Sequence, residues 1–436
     1  MSSFNFNDYS DLIGKVDPIR VNGRVTQVVG LLIEATGPQN PVGDICQIIT
    51  PQGPLPCEIV GFRRGSVLLM PLIHTEGIRQ GSEVIPTGMP LTVPAGEELL
   101  GRLLDGLGHP IDEKGDLPPG ITHVPINREP PNPFTRKRIT EPLPTGVRAI
   151  DGLLTIGGGQ RMGIFAGSGV GKSTLMGMIC RTSQADINVV ALIGERGREV
   201  REFLEKDLGP EGMRRSIVVV ATSDRPALVR VKAAFAATAI AEYFRDKGKN
   251  VMLMMDSVTR FALAQREIGL AVGEPPTTRG YTPSVFSLLP KLLERAGTAR
   301  KGSITGIYTV LVEGGDMDEP VADAVRGILD GHLVLSRDLA HQNVYPAIDI
   351  LGSISRLMPE ITQKRHYENA GKLRNIYANY IKNSDAISLG AYKTGSDPKI
   401  DEAIQKHPLI ESYIKQGITE VVNFQNSLDS LSKIVG

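Results

Sequence analysis

The stretch of sequence that most constrains this chain runs from residue 163 to residue 174 and reads GIFAGSGVGKST. It overlaps an apolar run, Met162–Ala166, that is typical of a short buried strand, and it leads into a helix-forming run that begins at Thr174. Between strand and helix, three glycines at alternate positions let the backbone turn its N–H groups toward one anion, and the positive end of the helix dipole favours the same charge. The residues expected to form this phosphate cradle are Gly167, Ser168, Gly169, Val170, Gly171, Lys172, Ser173 and Thr174.

Two side chains of the cradle have chemistry of their own. Lys172 is expected to reach the β- and γ-phosphates of a nucleotide, and the Ser173 hydroxyl is expected to ligate Mg²⁺. The usual loop pattern, G-x-x-x-x-G-K-[ST], has glycine where this chain has Ala166. The alternative is a glycine-rich turn with a surface lysine, and the strand and helix signals on either side argue against it.

Length and composition fit an enzyme of several domains. The 436 residues suggest two to three domains, and 48 basic residues balance 48 acidic ones, so bulk charge gives no reason to expect nucleic-acid binding. Three cysteines without metal-binding spacing suit a reducing compartment. No apolar run approaches the ~20 residues that span a bilayer, and no secretory signal is evident, so we expect a cytoplasmic location.

The hydrophobic pattern divides the chain into four zones. Residues 1–17 would form an amphipathic segment if helical, and a frayed terminus is the alternative. Residues 18–95 show short apolar runs between glycines and prolines, which predicts an N-terminal β-barrel. Residues 96–357 alternate apolar runs with helical patterns, which predicts an α/β P-loop domain with a parallel sheet. Residues 358–436 carry helical patterns only, which predicts a C-terminal α-helical domain.

Individual elements can also be predicted. The barrel strands are expected at Arg24–Val29, Leu31–Ala35, Ile45–Ile49, Glu58–Phe62 and Ser66–Met70. The strands of the parallel sheet are expected at Asn188–Ile193, Ser216–Ala221, Val251–Met255 and Thr305–Val312, with a helix at Ala227–Asp246. The segment Gly101–Pro144 is rich in Gly and Pro and should be an extended connector, whereas Lys364–Lys382 and Ile410–Val435 carry the C-terminal helical patterns.

Two of the predicted strands of the parallel sheet lead into acidic residues. Because sites in such sheets lie at the carboxyl ends of the strands, Asp256 is expected to hold Mg²⁺ through its water shell, with capping of the next turn as the alternative. Glu195 is expected beside the γ-phosphate, where it could orient or deprotonate the attacking water. Arg196 and Arg198 are near enough in sequence to fix that carboxylate, although an exposed charged loop is the alternative for this segment.

Longer motifs resemble those of the flagellar type III export ATPases, which are relatives of the catalytic subunits of the rotary ATP synthases. The resemblance extends from about residue 18 to residue 436. The motifs are TGVRAIDGLL (Thr145–Leu154), GGQRMGIFAGSGVGKST (Gly158–Thr174), GERGREV (Gly194–Val200), MMDSVTR (Met254–Arg260), GEPPTTRGYTPSVF (Gly273–Phe286) and PAIDILGSIS (Pro346–Ser355). The alanine at position 166 belongs to the usual export-ATPase form of the loop.

The resemblance implies a RecA-like core and roles for particular residues. Glu195 matches the catalytic carboxylate, while Arg196 and Arg260 match arginines that line the γ-phosphate pocket. Tyr345 matches the aromatic residue that packs on adenine. Arg356 matches the arginine finger, which acts in trans. Since one chain carries both the carboxylate and the finger, the resemblance implies a homohexamer with a site at each interface.

The function implied is that of a Mg²⁺-dependent ATPase, with ATP and Mg²⁺ bound, that assists delivery of export substrates to a secretion gate. The implied location is the cytoplasm, peripheral at the cytoplasmic face of the inner membrane. The implied partners are a regulatory dimer at residues 1–17, a stalk-like subunit in the pore, export substrates with their chaperones, and the membrane export gate. Gly273–Phe286 is placed on the inner wall of the ring, and its prolines and glycines argue against regular helix.

Three alternative functions remain open at this point. An ATPase of a virulence-type secretion system would share the fold and the chemistry. A rotary ATP synthase catalytic subunit would differ in the amino-acid sequence of its phosphate loop. A ring-shaped RNA translocase of the transcription-terminator kind would carry exposed aromatic and basic residues in its N-terminal domain, whereas residues 18–95 contain one aromatic residue, Phe62, and one adjacent basic pair, so no nucleic-acid partner is expected.

Overall fold

A computed structural model of the protein describes residues 21–74 and 76–436. The amphipathic segment predicted for residues 1–17 lies outside the described residues. The chain divides into two compact units: one ends at Leu91 and also includes Ala271–Gly273, and the other comprises residues 92–270 and 274–436. Within the described residues, no helix is both long enough and apolar enough to cross a membrane.

The first unit is built from six strands, β1 (Gly23–Val29), β2 (Leu32–Thr36), β3 (Asp44–Thr50), β4 (Gly53–Arg63), β5 (Ser66–Pro71) and β6 (Glu83–Pro90). They close into an antiparallel barrel in the order β1-β2-β5-β4-β3-β6, which confirms the predicted β-barrel. Alternate residues point inward, so that Cys46 and Ile48 of β3 are fully buried and Gln47 between them is exposed. The sequence pattern missed β6, because Pro86 and Pro90 are unusual in a strand.

The strands of the second unit are β7 (Thr92–Pro94), β8 (Leu103–Asp105), β9 (His123–Pro125), β10 (Arg161–Ala166), β11 (Ile187–Ile193), β12 (Ser216–Ala221), β13 (Asn250–Asp256), β14 (Gly297–Thr298), β15 (Ser303–Leu311), β16 (Gly331–Leu335) and β17 (Ile348–Ser355). Its main sheet has the order β17-β16-β10-β15-β13-β11-β12-β8, with β14 paired to β15. The strands from β16 to β8 are parallel, and β17 is antiparallel. All seven residues of β11 are buried, as expected where helices cover both faces of a parallel sheet.

The helices are α1 (Arg148–Leu153), α2 (Lys172–Thr182), α3 (Gly197–Glu202), α4 (Gly209–Arg214), α5 (Ala227–Asp246), α6 (Val258–Val272), α7 (Pro283–Leu293), α8 (Pro320–Ile328), α9 (Arg337–His341), α10 (Met358–Ile361), α11 (Lys364–Ser388), α12 (Pro398–Ile414) and α13 (Phe424–Val435). A π-helical turn, Phe203–Leu208, joins α3 to α4. The α/β core and the helices that follow it confirm the predicted fold class.

Three local predictions need correction. The connector is not merely extended, since its short strand β8 extends the main sheet beside β12 and β7 pairs with β9. The helical pattern over Ile410–Val435 covers the end of α12, a non-helical stretch of residues 415–423, and α13, which Asn423 caps. The last four residues of Gly273–Phe286 are helical, because Pro283 occupies the first turn of α7, where its missing N–H costs nothing.

Candidate active site

The predicted phosphate loop joins β10 to α2 at the carboxyl edge of the sheet. Ala166, the last residue of β10, is fully buried, and α2 begins at Lys172. Gly169 and Gly171 have φ angles of +79° and +90°, which side-chain-bearing residues rarely adopt, so the glycines allow the loop to turn. The Val170 side chain is buried in the core, so this residue offers only its backbone to a ligand.

Lys172 lies between two carboxylates contributed by different strands. Its Nζ is 2.5 Å from Oδ1 of Asp256 and 3.9 Å from Oε1 of Glu195. Asp256 ends β13, is 3 % exposed, and also accepts a hydrogen bond of 2.7 Å from Oγ1 of Thr309 on β15. Sequence reasoning missed Thr309, because no motif marks it. It reaches the Asp256 carboxylate only because β13 and β15 are neighbours in the sheet.

Glu195 follows β11 and is 8 % exposed. Its Oε1 lies 3.3 Å from Nε of Arg260, and its carboxyl shares a hydrogen bond with that of Glu199. Burial, followed by the negative charge of Asp256 and the hydrogen bond to Glu199, raises the pKa of Glu195 to about 7, and the charges of Lys172 and Arg260 oppose the rise. A carboxyl with a pKa near neutrality is suited to accept a proton at physiological pH.

Arg260 is the arginine that contacts the Glu195 carboxylate. Gly194 makes the approach possible, because its φ is +68° and a Cβ at this position would lie only 2.8 Å from Cδ of Arg260. Arg196, by contrast, has a side chain that is 74 % exposed and an Nη1 that lies 3.9 Å from Oε1 of Glu199. The expectation that Arg196 and Arg198 fix Glu195 is therefore wrong, since both are exposed where α3 begins.

A cavity of about 830 Å³ opens above the loop. Among the residues that line it are Gly167, Ser168, Gly169, Gly171, Lys172, Ser173, Thr174, Glu195, Arg196, Glu199, Asp256 and Arg260. The Ser173 hydroxyl and the Asp256 carboxylate offer hard oxygen ligands of the kind that Mg²⁺ prefers. Across residues 21–74 and 76–436 there is no cluster of three or more His, Cys, Asp or Glu that could hold a metal ion.

Comparison with known proteins gives the family. The ATP synthase alpha/beta family models match residues 146–355 for the nucleotide-binding domain and 25–88 for the beta-barrel domain, and the model of the T3SS EscN ATPase C-terminal domain matches residues 362–433. The flagellum-specific ATP synthase of Bacillus subtilis (strain 168) is 55 % identical over 430 residues, which is 98 % of each chain. The chain belongs to the ATP synthase alpha/beta family. The resemblance seen in the sequence motifs is thereby confirmed.

ATPases of type 3 secretion systems, as well as flagellum-specific ATP synthases, are similar to this chain. The type 3 secretion system ATPase of Xanthomonas euvesicatoria is 52 % identical over 414 residues, or 94 % of this chain and 93 % of the relative. The structure of the assembled ATPase EscN from the enteropathogenic E. coli type III secretion system matches with a TM-score of 0.90 at 48 % identity, covering 95 % of this chain and 100 % of EscN. EscN in complex with its central stalk EscO matches with a TM-score of 0.89.

Tyr345 lies at the edge of the loop rather than in the lining of the cavity. Its ring atoms are 3.5 Å from the point that a Cβ on Gly171 would occupy. The backbone N–H of Gln416, which follows α12, donates to the Tyr345 carbonyl at 2.9 Å. The Gln416 side chain accepts from the N–H of Arg148 at 2.7 Å and donates to the carbonyl of Gly146 at 2.8 Å. Sequence reasoning missed this glutamine, which connects the C-terminal helices to the Tyr345 segment.

Arg356 follows β17 and is separate from the cavity. Its Nη2 lies 3.4 Å from the carbonyl oxygen of Arg326, and it is absent from the lining that contains Lys172. Its expected action on the site of another subunit stays a prediction.

Proposed function

We propose that this protein hydrolyses ATP, with Mg²⁺, to assist flagellar type III protein export. The observation that carries the proposal is the convergence of Lys172, Glu195 and Asp256 on one cavity at a phosphate loop. The flagellar setting is supported by the flagellum-specific ATP synthases of Bacillus subtilis and Treponema pallidum, which are 55 % and 52 % identical to this chain. The second candidate is the ATPase of a type 3 secretion system, which the Xanthomonas relative and EscN support.

The proposed chemistry assigns each group a single task. Lys172 binds the β- and γ-phosphates, and the loop N–H groups of residues 167–171 cradle them. Mg²⁺, held by Ser173 directly and by Asp256 through water, would neutralise phosphate charge. Glu195 orients the attacking water and accepts its proton during in-line attack on the γ-phosphoryl group. The pKa near 7 supports this role, because the carboxyl is part ionised at neutral pH and can take up a proton there.

The arginines and the tyrosine complete the proposed site. Arg260 and Arg196 line the γ-phosphate region, and Tyr345 packs on adenine. Arg356 reaches the γ-phosphate of a neighbouring subunit in a homohexameric ring. The separation of Arg356 from its own chain's cavity supports this arrangement, as does the similarity to a structure of assembled EscN.

The proposed partners follow from the same family. A stalk-like subunit contacts the Gly273–Phe286 segment, and the complex of EscN with its central stalk EscO supports the presence of such a partner. A regulatory dimer binds residues 1–17, and export substrates arrive with their chaperones. The protein works in the cytoplasm and associates peripherally with the membrane export gate.

The catalytic assignment is tested by three variants of the full chain. We expect Glu195→Gln to keep nucleotide affinity within a few-fold and to lower turnover by about 10²-fold or more, because the amide cannot accept the proton. Lys172→Ala should weaken both binding and turnover. The matched control is Glu205→Gln, which makes the same change at an exposed carboxylate that pairs with Arg201 and does not line the cavity. Wild-type turnover in Glu195→Gln would contradict the assignment.

The biological setting is tested separately. Expression in a strain that lacks its flagellar export ATPase should restore motility, whereas restoration of effector secretion alone in a secretion-system mutant would favour the second candidate. The neighbouring genes offer a further check, since flagellar hook and rod genes support the first candidate and secretion-system genes the second. RNA-stimulated ATP hydrolysis would contradict both and favour the translocase alternative.

A further inference from the structure

Arg337, which no sequence motif marked, lines the same cavity as Lys172. It is the first residue of α9 and is exposed. It comes two residues after Leu335, the last residue of β16, and Leu335 pairs in parallel register with Ala166 at the start of the phosphate loop. The register of the sheet thus brings Arg337 to the loop across about 170 residues of sequence.

The strand order places Arg337 on the flank of the loop that has no catalytic carboxylate. Asp256 ends β13 and Glu195 follows β11, and both strands lie on the β15 side of β10. Arg337 follows β16, which lies on the other side of β10. A phosphate chain held by the loop would therefore have the carboxylates and Lys172 on one flank and the guanidinium on the other.

The guanidinium lies directly against the loop backbone. Its Nη2 is 3.1 Å, and its Cζ 3.9 Å, from the point that a Cβ on Gly167 would occupy. The absence of a side chain at Gly167 is what leaves room for this contact, since the residue does not have the positive φ that would itself favour glycine.

Unlike Lys172 and Arg260, Arg337 has no acidic partner among the described residues. Lys172 pairs with Asp256, and Arg260 pairs with Glu195. No carboxylate in the described part of the chain forms an ion pair with Arg337. A guanidinium presents five N–H donors in a planar fork that matches phosphate oxygens, and one without a carboxylate partner can turn this fork toward a ligand.

We propose that Arg337 binds the phosphate chain of the nucleotide on the flank of the loop opposite Glu195 and Asp256. This inference rests on the proposed ATP site and adds a specific phosphate-binding residue to it. Since a hydrogen bond to a charged group typically contributes enough to change affinity about 10- to 100-fold, Arg337→Ala should weaken binding by that factor. Arg337→Lys should lose less, because it keeps the charge but not the fork.

The test measures binding of Mg²⁺–ATP and of inorganic tripolyphosphate to the full chain by titration calorimetry, in a Glu195→Gln background that suppresses hydrolysis. Tripolyphosphate carries the phosphate chain without base or ribose. We expect Arg337→Ala to weaken both ligands by similar factors, and Arg300→Ala, a matched change at an exposed arginine that does not line the cavity, to weaken neither. Thermal melting without ligand checks that each variant is folded.

Two results would overturn the inference while leaving the ATP site intact. One is unchanged affinity for both ligands in Arg337→Ala although Lys172→Ala weakens both. The other is a loss for ATP without a loss for tripolyphosphate, which would assign Arg337 to the base or ribose. If Lys172→Ala also changed nothing, the proposed function itself would fail, and the inference with it.

A double-mutant cycle supplies an independent check. Gly167→Ala introduces a methyl group 3.1 Å from Nη2 of Arg337, closer than most Cβ contacts, so it should push the guanidinium away and weaken both ligands. In the Arg337→Ala background the same substitution should have little further effect, because the group that it displaces is gone. Full additivity of the two losses would contradict the contact.

Discussion

Burial of the Glu195 carboxyl predicts a pH-dependent stability that Glu195→Gln should remove. The pKa of this group rises from its ordinary value of 4.5 to about 7 in the folded protein, chiefly because it is buried. The folded state therefore prefers the protonated form. The stability associated with this group is complete below about pH 4.5 and is lost as the pH rises toward 7, because ionisation is easier in the unfolded chain.

The size of the effect follows from the pKa difference. At about 1.4 kcal/mol per pKa unit, ionisation of Glu195 costs the folded state about 2–3 kcal/mol between roughly pH 5 and pH 8. Glu199, its hydrogen-bond partner, contributes little to this window, because its pKa is lowered from 4.5 and it is already ionised in both states above about pH 5.5.

The assay is urea unfolding of the nucleotide-free protein at the two pH values. The difference in unfolding free energy between Glu195→Gln and the wild type should be about 2–3 kcal/mol more favourable to the variant at pH 8 than at pH 5, roughly the pKa-derived cost. Glu202→Gln should show no such change, because the Glu202 pKa is lowered by its hydrogen bond to Lys206 and the group does not titrate in this range. Equal effects of Glu195→Gln at both pH values would refute the burial argument.

Three further predictions concern assembly and coupling. Arg356→Ala and Glu195→Gln should each be inactive, and mixed rings of the two should regain part of the ATPase activity; no recovery in rings shown to be mixed would contradict action in trans. A cysteine at exposed Thr278 should crosslink to a cysteine-bearing stalk subunit, whereas one at Thr282, which is fully buried, serves as the negative control; crosslinking to an outer-surface partner alone would count against the pore assignment. Gln416→Ala removes the side-chain hydrogen bonds to Arg148 and Gly146 but keeps the backbone N–H bond to Tyr345, so it should lower the free energy of unfolding by about 1–3 kcal/mol with little change in the KM for ATP, and a several-fold rise in KM would contradict this separation.

Local sequence signals predicted much of the site. The apolar strand, the glycine loop and the helix follow one another directly along the chain, so β10, the loop and α2 can be located from the sequence alone. Asp256 and Glu195 could also be proposed, since each follows a continuous apolar run and the ends of parallel strands share one edge. The spacing of apolar residues likewise predicted the barrel and the helix Ala227–Asp246, because buried positions in these elements recur at intervals that can be read from the sequence.

Contacts between distant segments could not be predicted in this way. Thr309 reaches Asp256, Glu195 meets Arg260 instead of Arg196, and Gln416 reaches Tyr345, only because the sheet order and the packing of the C-terminal helices bring them together. Two strands gave no clear pattern: β8 has only three residues, too few to show a period, and β6 contains two prolines, which are unusual in a strand. The sequence by itself therefore determined the family, the phosphate loop and the residue types of the chemistry. Only the tertiary structure decided which charges are paired and which carboxyl is buried enough to have its pKa raised to about 7. It also decided that Arg337, which has no acidic partner among the described residues, lies beside Gly167, because charge, burial and pairing depend on neighbours in space.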